Sequence, residues 1–165
     1  MKKILSHLFV LLLLTSCSKE KQENEILPPA TREGKNTFGF LLNDEVWVKK
    51  NEVTLYPVLT AGYVENFGFS ISCRRSKNDD FAGLVFKTID KGTRPFNSQN
   101  GDVIDITVDS SGGTKTYTLI DGGELKITRF DKEKRIVSGE FSAQILERST
   151  GEKLSITQGR FDFTF

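Results

Sequence analysis

The sequence is short of the residues that most often carry out catalysis or bind metals. Its 165 residues include one His, one Met and two Cys, and the His and the Met lie near the start, as His7 and Met1. Basic and acidic side chains nearly balance, with 23 Lys and Arg against 22 Asp and Glu. This balance gives no electrostatic reason to expect a nucleic acid as partner. No glycine-rich loop follows a strand and opens a helix, so nucleotide chemistry is not expected either.

The first sixteen residues have the layout of a secretory signal. Two lysines follow Met1, an apolar stretch runs from Ile4 to Leu14, and Thr15-Ser16-Cys17 comes next. A stretch of about eleven residues is too short to cross a hydrocarbon core of ~30 Å as a helix. Leu-Thr-Ser-Cys resembles the lipobox of bacterial lipoproteins, in which the Cys receives diacylglycerol and the signal is cut before it. We therefore expect removal of residues 1–16 and lipid on Cys17; the alternative is an ordinary signal with a chance Cys.

Removal of this signal changes the chemistry that remains. His7 leaves with it, which closes off Ser–His and Cys–His catalysis and His-ligated zinc. Lys2 and Lys3 leave too, so 21 basic side chains face 22 acidic ones and the formal net charge becomes −1. With Cys17 lipidated, Cys73 is the remaining free thiol and no intramolecular disulfide can form. We expect no cofactor and no metal site.

Residues 17–36 are predicted to form the lipidated Cys and a flexible tether. The segment is charged and polar at first and then carries Pro28-Pro29, a composition that disfavours packing and stiffens the far end. No second apolar run of membrane length follows Cys17. We expect the protein to be held by lipid on the outer membrane of the cell envelope, on its periplasmic or its exposed face. Residues 37–165 are predicted to form a single β domain.

Apolar and polar residues alternate with period two through residues 37–165, and turn residues separate the alternating runs. The pattern predicts strands near residues 37–42, 46–49, 53–60, 67–75, 82–89, 103–109, 114–120, 124–130, 135–146 and 153–165. About ten short strands are typical of an antiparallel β-sandwich, with a partly closed up-and-down β-barrel as the alternative. The large residues that the alternation places in the core are Phe67, Phe69, Ile71, Phe141, Phe161 and Phe163.

A change of register is visible in the last predicted strand. Leu154 and Ile156 are even-numbered, whereas the phenylalanines of residues 161–165 are odd-numbered. One strand cannot keep both sets on one face without an extra residue. A β-bulge is therefore predicted at Gln158-Gly159.

Segments at both ends of the predicted domain form a recognisable pattern. They are GKNTFG at 34–39, GELKIT at 123–128, IVSGEF at 136–141 and ITQGRFD at 156–162. Over most of the chain they resemble a family of uncharacterised Bacteroidota lipoproteins. The family pattern often has a Cys after the opening Phe-Gly, where this chain has Phe40. The resemblance implies an envelope lipoprotein with an all-β domain but no chemistry, because the family has no established activity.

Two strand residues are candidates for function. Trp47 points away from the core if its neighbours Val46 and Val48 point into it, and an exposed indole could stack on a sugar or a partner protein. The favoured interpretation is that a loop or a second layer covers it. Cys73 follows the apolar face of Phe69 and Ile71, so we interpret it as a buried, inert thiol and not as a reactive one.

Polar segments give three further candidates. Residues 74–80 form a charged hairpin tip that could bind an ion, but a solvated loop is the simpler interpretation. Residues 97–102 offer oxygen ligands and a glycine, yet lack the acidic alternation of an EF-hand loop, so a plain turn is favoured over a calcium site. Glu140 and Asp162 are predicted on wet strand faces, where a carboxylate pair could serve glycoside hydrolysis, although no spacing singles out a pair.

These exclusions favour a non-enzymatic binding or interaction module with a protein or glycan partner. The alternative is a small hydrolase that uses carboxylates alone. A concave pocket with clustered carboxylates of raised pKa would favour that alternative.

Overall fold

A computed structural model of the chain describes residues 26–49, 58–75, 80–110 and 112–165. The predicted signal, the lipidation site Cys17 and most of the strand predicted at 53–60 lie outside these residues. The strands within them are β1 Thr37–Leu42, β2 Glu45–Val48, β3 Leu59–Val64, β4 Gly68–Arg74, β5 Phe81–Phe86, β6 Gly92–Phe96, β7 Val103–Ser110, β8 Gly113–Asp131, β9 Ile136–Glu147 and β10 Lys153–Thr164. One turn of 3-10 helix, Ser98–Asn100, precedes β7. The prediction of an all-β antiparallel fold is confirmed.

The described strands form one continuous, curled sheet. Its order is β2-β1-β10-β9-β8-β7-β5-β4-β3, and β6 pairs with β8 off this path. The sheet curls so that its two halves face each other, because rings from β4 and β5 pack against β10. The ring centroid of Phe161 lies 6.2 Å from that of Phe69 and 5.2 Å from that of Phe86. The architecture is therefore that of a sandwich or half-barrel, made from one sheet and not from two.

Strand β8 differs from the sequence prediction. We expected two strands, 114–120 and 124–130, with a turn at Asp121-Gly122-Gly123, but residues 113–131 form one long strand. The three residues form an irregularity in it, because the register with β9 shifts between Ile120 and Glu124. Before the shift β8 pairs with β7, and after it with β6, so the strand carries the sheet from one neighbour to the next. The short strand β6 was not predicted, because Gly-Thr-Arg-Pro-Phe shows no alternation of apolar and polar residues.

The core prediction is confirmed at five of its six positions. The side chains of Phe69, Ile71, Phe141, Phe161 and Phe163 are buried. Phe67 is wrong, because its side chain is 73% exposed. The strand begins only at Gly68, and Asn66 and Gly68 have φ of +69° and +94°. These left-handed values belong to a turn, so the alternation of β4 does not extend back to Phe67.

The predicted bulge in β10 is confirmed. The register between β9 and β10 shifts between Ile156 and Gly159, and Gln158 has φ of +50°. A Cβ on Gly159 would lie 2.6 Å from the ring of Phe141, so a larger residue would displace a core aromatic. Because of the bulge, Phe161 and Phe163 face the core on the same side of the strand as Ile156.

Candidate functional site

Trp47 is not an exposed platform. Its side chain is 1% exposed and stacks on Phe40, its cross-strand neighbour in β1, with ring centroids 4.8 Å apart and planes 11° from parallel. Phe40 faces the core, and Trp47 shares its side of the sheet. Trp47 is covered, as the favoured interpretation expects, but by the core and not by a loop or a second layer on the outer face. Its outward orientation is wrong, because that prediction assigned the inner face to two half-buried valines instead of to the largest side chain of the strand.

Cys73 is a buried thiol. Its side chain is fully covered, and burial raises the pKa of the thiol to about 12, although the Lys49 ammonium acts in the opposite direction. A thiol with a raised pKa forms little thiolate at neutral pH, and the thiolate is the reactive species.

We expect Cys73 to resist modification in the folded chain. In the chain from Ser18 onward it is the single thiol, so labelling by a disulfide reagent at pH 8 reports on it alone. Because the site is covered and disfavours the thiolate, the reaction should be on the order of 100-fold slower in buffer than in 8 M urea. Labelling at similar rates in the two solutions would contradict the buried position.

The polar turn at residues 97–102 is organised by an ion pair. The buried carboxylate of Asp102 accepts hydrogen bonds from Arg94 at both oxygens, at 2.5 Å from Nη1 and 2.8 Å from Nη2. The backbone N–H of Asn97 donates to the same carboxylate at 3.3 Å. Arg94 therefore occupies the carboxylate that a calcium ion would need. Across the described ranges, no group of three or more His, Cys, Asp or Glu could hold a metal ion.

The charged hairpin tip is described at its two ends, because residues 76–79 lie outside the described ranges. Arg75 Nη2 donates to the carbonyl of Val46 at 3.1 Å, which links the end of β4 to edge strand β2. Asp80 Oδ1 accepts a hydrogen bond from the backbone N–H of Asp109 at 2.9 Å. Both side chains thus contribute to the structure of the sheet.

Residues 26–36, which we call the arm, lie against the outer face of β10. Leu27 and Pro28 cover Gly39 of β1, so that a Cβ there would lie 3.3 Å and 3.0 Å from their side chains. Arg160 Nη1 donates to the carbonyl of Pro28 at 3.2 Å, and Arg129 Nη1 to that of Arg32 at 2.6 Å. The flexible tether predicted for 17–36 therefore does not extend through residues 26–36, because side chains of the sheet donate hydrogen bonds to carbonyl groups of the arm.

Asp162 holds the arm in place. Its carboxylate accepts hydrogen bonds from the arm, namely from Thr31 Oγ1 at 2.6 Å and from the backbone N–H groups of Glu33, Gly34 and Lys35 at 3.0, 2.8 and 3.1 Å. Ser138 Oγ of β9 donates to it at 2.7 Å. The prediction of a wet position is wrong: Asp162 does point to the outer face, but the arm covers it and leaves 1% exposed.

These donors shift the ionisation of Asp162. Burial acts to raise the pKa of the carboxyl, but hydrogen bonds from Ser138, Thr31 and the N–H groups of Gly34 and Glu33 outweigh it and lower the pKa to about 2. The ionised form is thus the form that binds the arm.

The shift predicts that acid weakens the contact between arm and sheet. Since the folded pKa lies below the ordinary value, ionised Asp162 stabilises the docked arm fully above pH ~4, and this stabilisation is lost as the pH falls through about 2. Carbon-detected NMR titration of the Asp162 carboxyl should give a midpoint near 2. In the wild type, the protection of the Gly34 and Lys35 amides against hydrogen exchange should fall as Asp162 is protonated. In Asp162→Asn, the exchange rates of these amides should change with pH only as the intrinsic rate does. A midpoint near 4 would mean that the donors do not bind the carboxylate.

A depression of about 420 Å³ lies beside the arm on the same face. Its lining comes from the arm, β8, β9 and β10: Ala30, Glu124, Lys126, Glu140, Phe141, Ser142, Gln158, Gly159 and Arg160. The bulge of β10 forms part of its wall. The arm supplies Ala30, so the depression is complete only when the arm is docked.

The polar side chains of the depression form two rows across the strands. Lys126, Glu140 and Arg160 are direct cross-strand neighbours, and Lys126 Nζ lies 3.5 Å from Glu140 Oε2 with both side chains half-exposed. Arg160 also donates to the carbonyl and the side chain of Gln158. Lys126 and Glu140 therefore pair with each other. The Arg160 guanidinium, in contrast, donates to neutral oxygens of Gln158 and Pro28.

The second row is more available to a ligand, although the side-chain oxygen of Gln158 accepts a hydrogen bond from Arg160. Glu124 is exposed and lies opposite Ser142 on β9, with Gln158 beyond them in the bulge. Together they offer a carboxylate, a hydroxyl and an amide at one edge of the depression. Such groups bind hydroxyls and amines through directed hydrogen bonds.

The carboxylates with lowered pKa values lie elsewhere. Hydrogen bonds from Arg129 lower the pKa of Asp131, those from Thr150 and Ser149 lower that of Glu147 to about 2, and that from Lys115 lowers that of Glu152. A general acid of a hydrolase needs the opposite shift. These groups therefore stabilise turns and strand ends and are unsuited to proton donation at neutral pH.

Sequence reasoning missed both the docked arm and the depression. The Pro-Pro pair and the charged residues suggested a tether, and the hydrogen bonds that dock the arm come from residues 97 to 132 positions away. Comparisons with protein-family models, with curated proteins and with solved structures gave no match to this chain. Among the described residues, no helix has the length and apolar character needed to cross a membrane.

Proposed function

We propose that this chain is a lipid-anchored, non-enzymatic binding protein of the cell envelope, and that its ligand occupies the depression beside the arm. The observation that carries the proposal is a concave site of about 420 Å³ with convergent polar groups on the outer face of the sheet. This volume falls within the range of ~300–1,000 Å³ that ligand sites usually have. The anchor rests on the signal and the lipobox-like Leu-Thr-Ser-Cys.

The distribution of side chains supports binding on the outer face. The inner face is filled by aromatic rings, among them Phe38 and Phe141, which stack with centroids 6.0 Å apart, and Phe86 and Phe96, at 5.4 Å. The groups that could recognise a polar ligand lie outside. Glu124, Ser142 and Gln158 suit a small ligand rich in hydroxyl or amine groups, such as a saccharide or the polar end of a peptide.

The anchor is tested by mass spectrometry of detergent-extracted protein. We expect a mature N-terminus at Cys17 carrying lipid, and loss of membrane association in Cys17→Ser. An N-terminus at any other residue, or a Cys17→Ser variant that stays on the membrane, would contradict the anchor.

The site is tested by screening the chain from Ser18 onward against glycans, peptides and generic hydrolase substrates. For a ligand that binds, Glu124→Gln should weaken affinity at least ~10-fold, the loss expected when a charge-assisted hydrogen bond is removed. Glu45→Gln is the matched control, because Glu45 is also exposed but lies on β2, outside the depression. Equal effects of the two variants would remove the depression as the site. Turnover that disappears on replacing one Asp or Glu would favour the carboxylate hydrolase instead.

A further inference from the structure

The turn between β3 and β4 presents two apolar side chains to solvent. Phe67 is 73% exposed and Val64 58% exposed, and the backbone N–H of Phe67 donates to the carbonyl of Val64 at 3.1 Å. We call residues 64–67 the tip. Phe67 breaks the rule that the apolar members of an alternating run face the core, and such departures are expected where a surface has a function.

The tip lies on a packed base. A Cβ on Gly68 would collide with the carbonyl oxygen of Phe86, so the backbone of the turn lies directly on the end of β5. At its base, the Tyr63 ring packs on Phe130 and Phe165, with centroids 5.3 and 5.2 Å away. The exposed side chains therefore project from a fixed support.

The tip also has its one carboxylate paired. Lys132 Nζ of the β8–β9 turn lies 3.2 Å from Glu65 Oε1 and 5.7 Å from the centre of the Tyr63 ring. Contact of the tip with an apolar medium would thus not require an unpaired charge to leave water, which is the main cost of such contact.

The position of the arm brings a membrane within reach of the tip. Nine residues, Ser18–Ile26, separate Cys17 from Leu27, which is packed on the sheet. Fully extended, nine residues span at most ~30 Å. The arm begins near Arg160, where Leu27 lies, and reaches Thr164, where Gly34 lies. Arg160 and Thr164 are four strand residues apart, which is about 13 Å along β10. The tip lies at this Thr164 end, because Tyr63 packs on Phe165.

We propose that the tip is a membrane-contact site that inserts Phe67 and Val64 into the interface of the bilayer that carries the lipid anchor. Two attachments, the acyl chains on Cys17 and the tip, then set the orientation of the domain. The β9–β10 turn at the opposite end of the sheet faces away from the bilayer. This inference rests on the anchor of the proposed function.

The test uses the full mature, lipidated chain in phosphatidylcholine vesicles that contain brominated lipid, a short-range quencher of tryptophan fluorescence. Phe67→Trp places a reporter at the tip, and Arg148→Trp is the control in the exposed β9–β10 turn. The wild type gives the background of the buried Trp47. We expect at least a twofold loss of the added fluorescence for Phe67→Trp and no added loss for Arg148→Trp.

Trp itself favours membrane interfaces, so a second measurement uses the chain with Phe67 in place. The backbone amides of Asn66 and Phe67 should exchange hydrogen at least threefold more slowly on vesicles than in solution. Phe67→Ser should abolish this protection.

Each other result counts against the tip. Equal quenching of the two reporters, or unchanged amide exchange, would overturn the proposal. A dimer in solution that Phe67→Ser dissociates would identify the tip as a protein contact instead. If the chain does not float with vesicles, the lipid anchor is refuted independently of the tip. The tip can then still be tested by coupling Cys17 to a maleimide lipid. The reagent will select Cys17, since Cys73 is buried.

Discussion

Replacing Phe161 with Ala should lower the free energy of unfolding by about 3–5 kcal/mol, the usual cost of removing a buried phenylalanine ring. The side chain is buried at the point where the two halves of the curled sheet meet. Its ring lies 6.2 Å from Phe69, 5.2 Å from Phe86 and 6.5 Å from Phe141, measured between centroids. A cavity here would separate β10 from both β4 and β5, so the neighbours could not close it by small shifts.

The chain provides a matched control for this substitution. Phe67→Ala removes the same ring from an exposed position, and we expect it to change the free energy of unfolding by less than ~0.5 kcal/mol. Urea denaturation of the chain from Ser18 onward measures both variants against the wild type. Similar losses for the two variants would contradict the core assignment, as would a loss below ~1 kcal/mol for Phe161→Ala.

Replacing Asp162 with Ala should release the arm from the sheet. Five donors bind the carboxylate, and hydrogen bonds to a charged group stabilise by about 1.5–3 kcal/mol each. The arm donors can return to water when the arm leaves, which limits the loss, whereas the Ser138 hydroxyl stays behind in the sheet. We therefore expect a loss of about 2–3 kcal/mol in the free energy of unfolding.

Release of the arm has a local readout that global unfolding does not share. Arg32 and Lys35 are trypsin sites within the arm, and the docked arm should protect them. In Asp162→Ala, cleavage at these sites should be at least ~10-fold faster under conditions in which the rest of the chain stays intact. Glu147→Ala is the control, since it removes a carboxylate bonded to Ser149 and Thr150 of the β9–β10 turn and not to the arm or to a residue that binds the arm. Unchanged cleavage in Asp162→Ala would show that Asp162 does not hold the arm.

The sequence predicts strands well where one face of the sheet is wet. Residues 69–73, 137–145 and 161–165 alternate cleanly, and the described strands and core follow that alternation. The bulge at Gln158-Gly159 was predictable for the same reason, because two apolar sets of opposite parity must share one face.

The errors arise where tertiary contacts decide the conformation. The Gly-Gly pair in β8 has turn chemistry, but β9 pairs with the residues on both sides of it and β6 pairs from Gly123 onward, so the strand continues through it. Asp162 has the right parity for the outer face, yet its burial depends on the arm more than 120 residues earlier in the chain. The depression has the same origin, since it needs Ala30 beside the bulge.

The pairing of β1 with β10 has a consequence for the order of events during synthesis. Thr37 lies opposite Asp162, and β10 separates β1 from β9, so the last strand to be made joins the first strand to the rest of the sheet. Contacts at such sequence separation form slowly, because a long loop must close before they contribute. The nascent chain cannot complete this sheet until β10 has been made. If the chain crosses a membrane through a narrow translocation channel, as its signal predicts, we expect β1 and β2 to stay detached from the rest of the sheet until β10 has followed them.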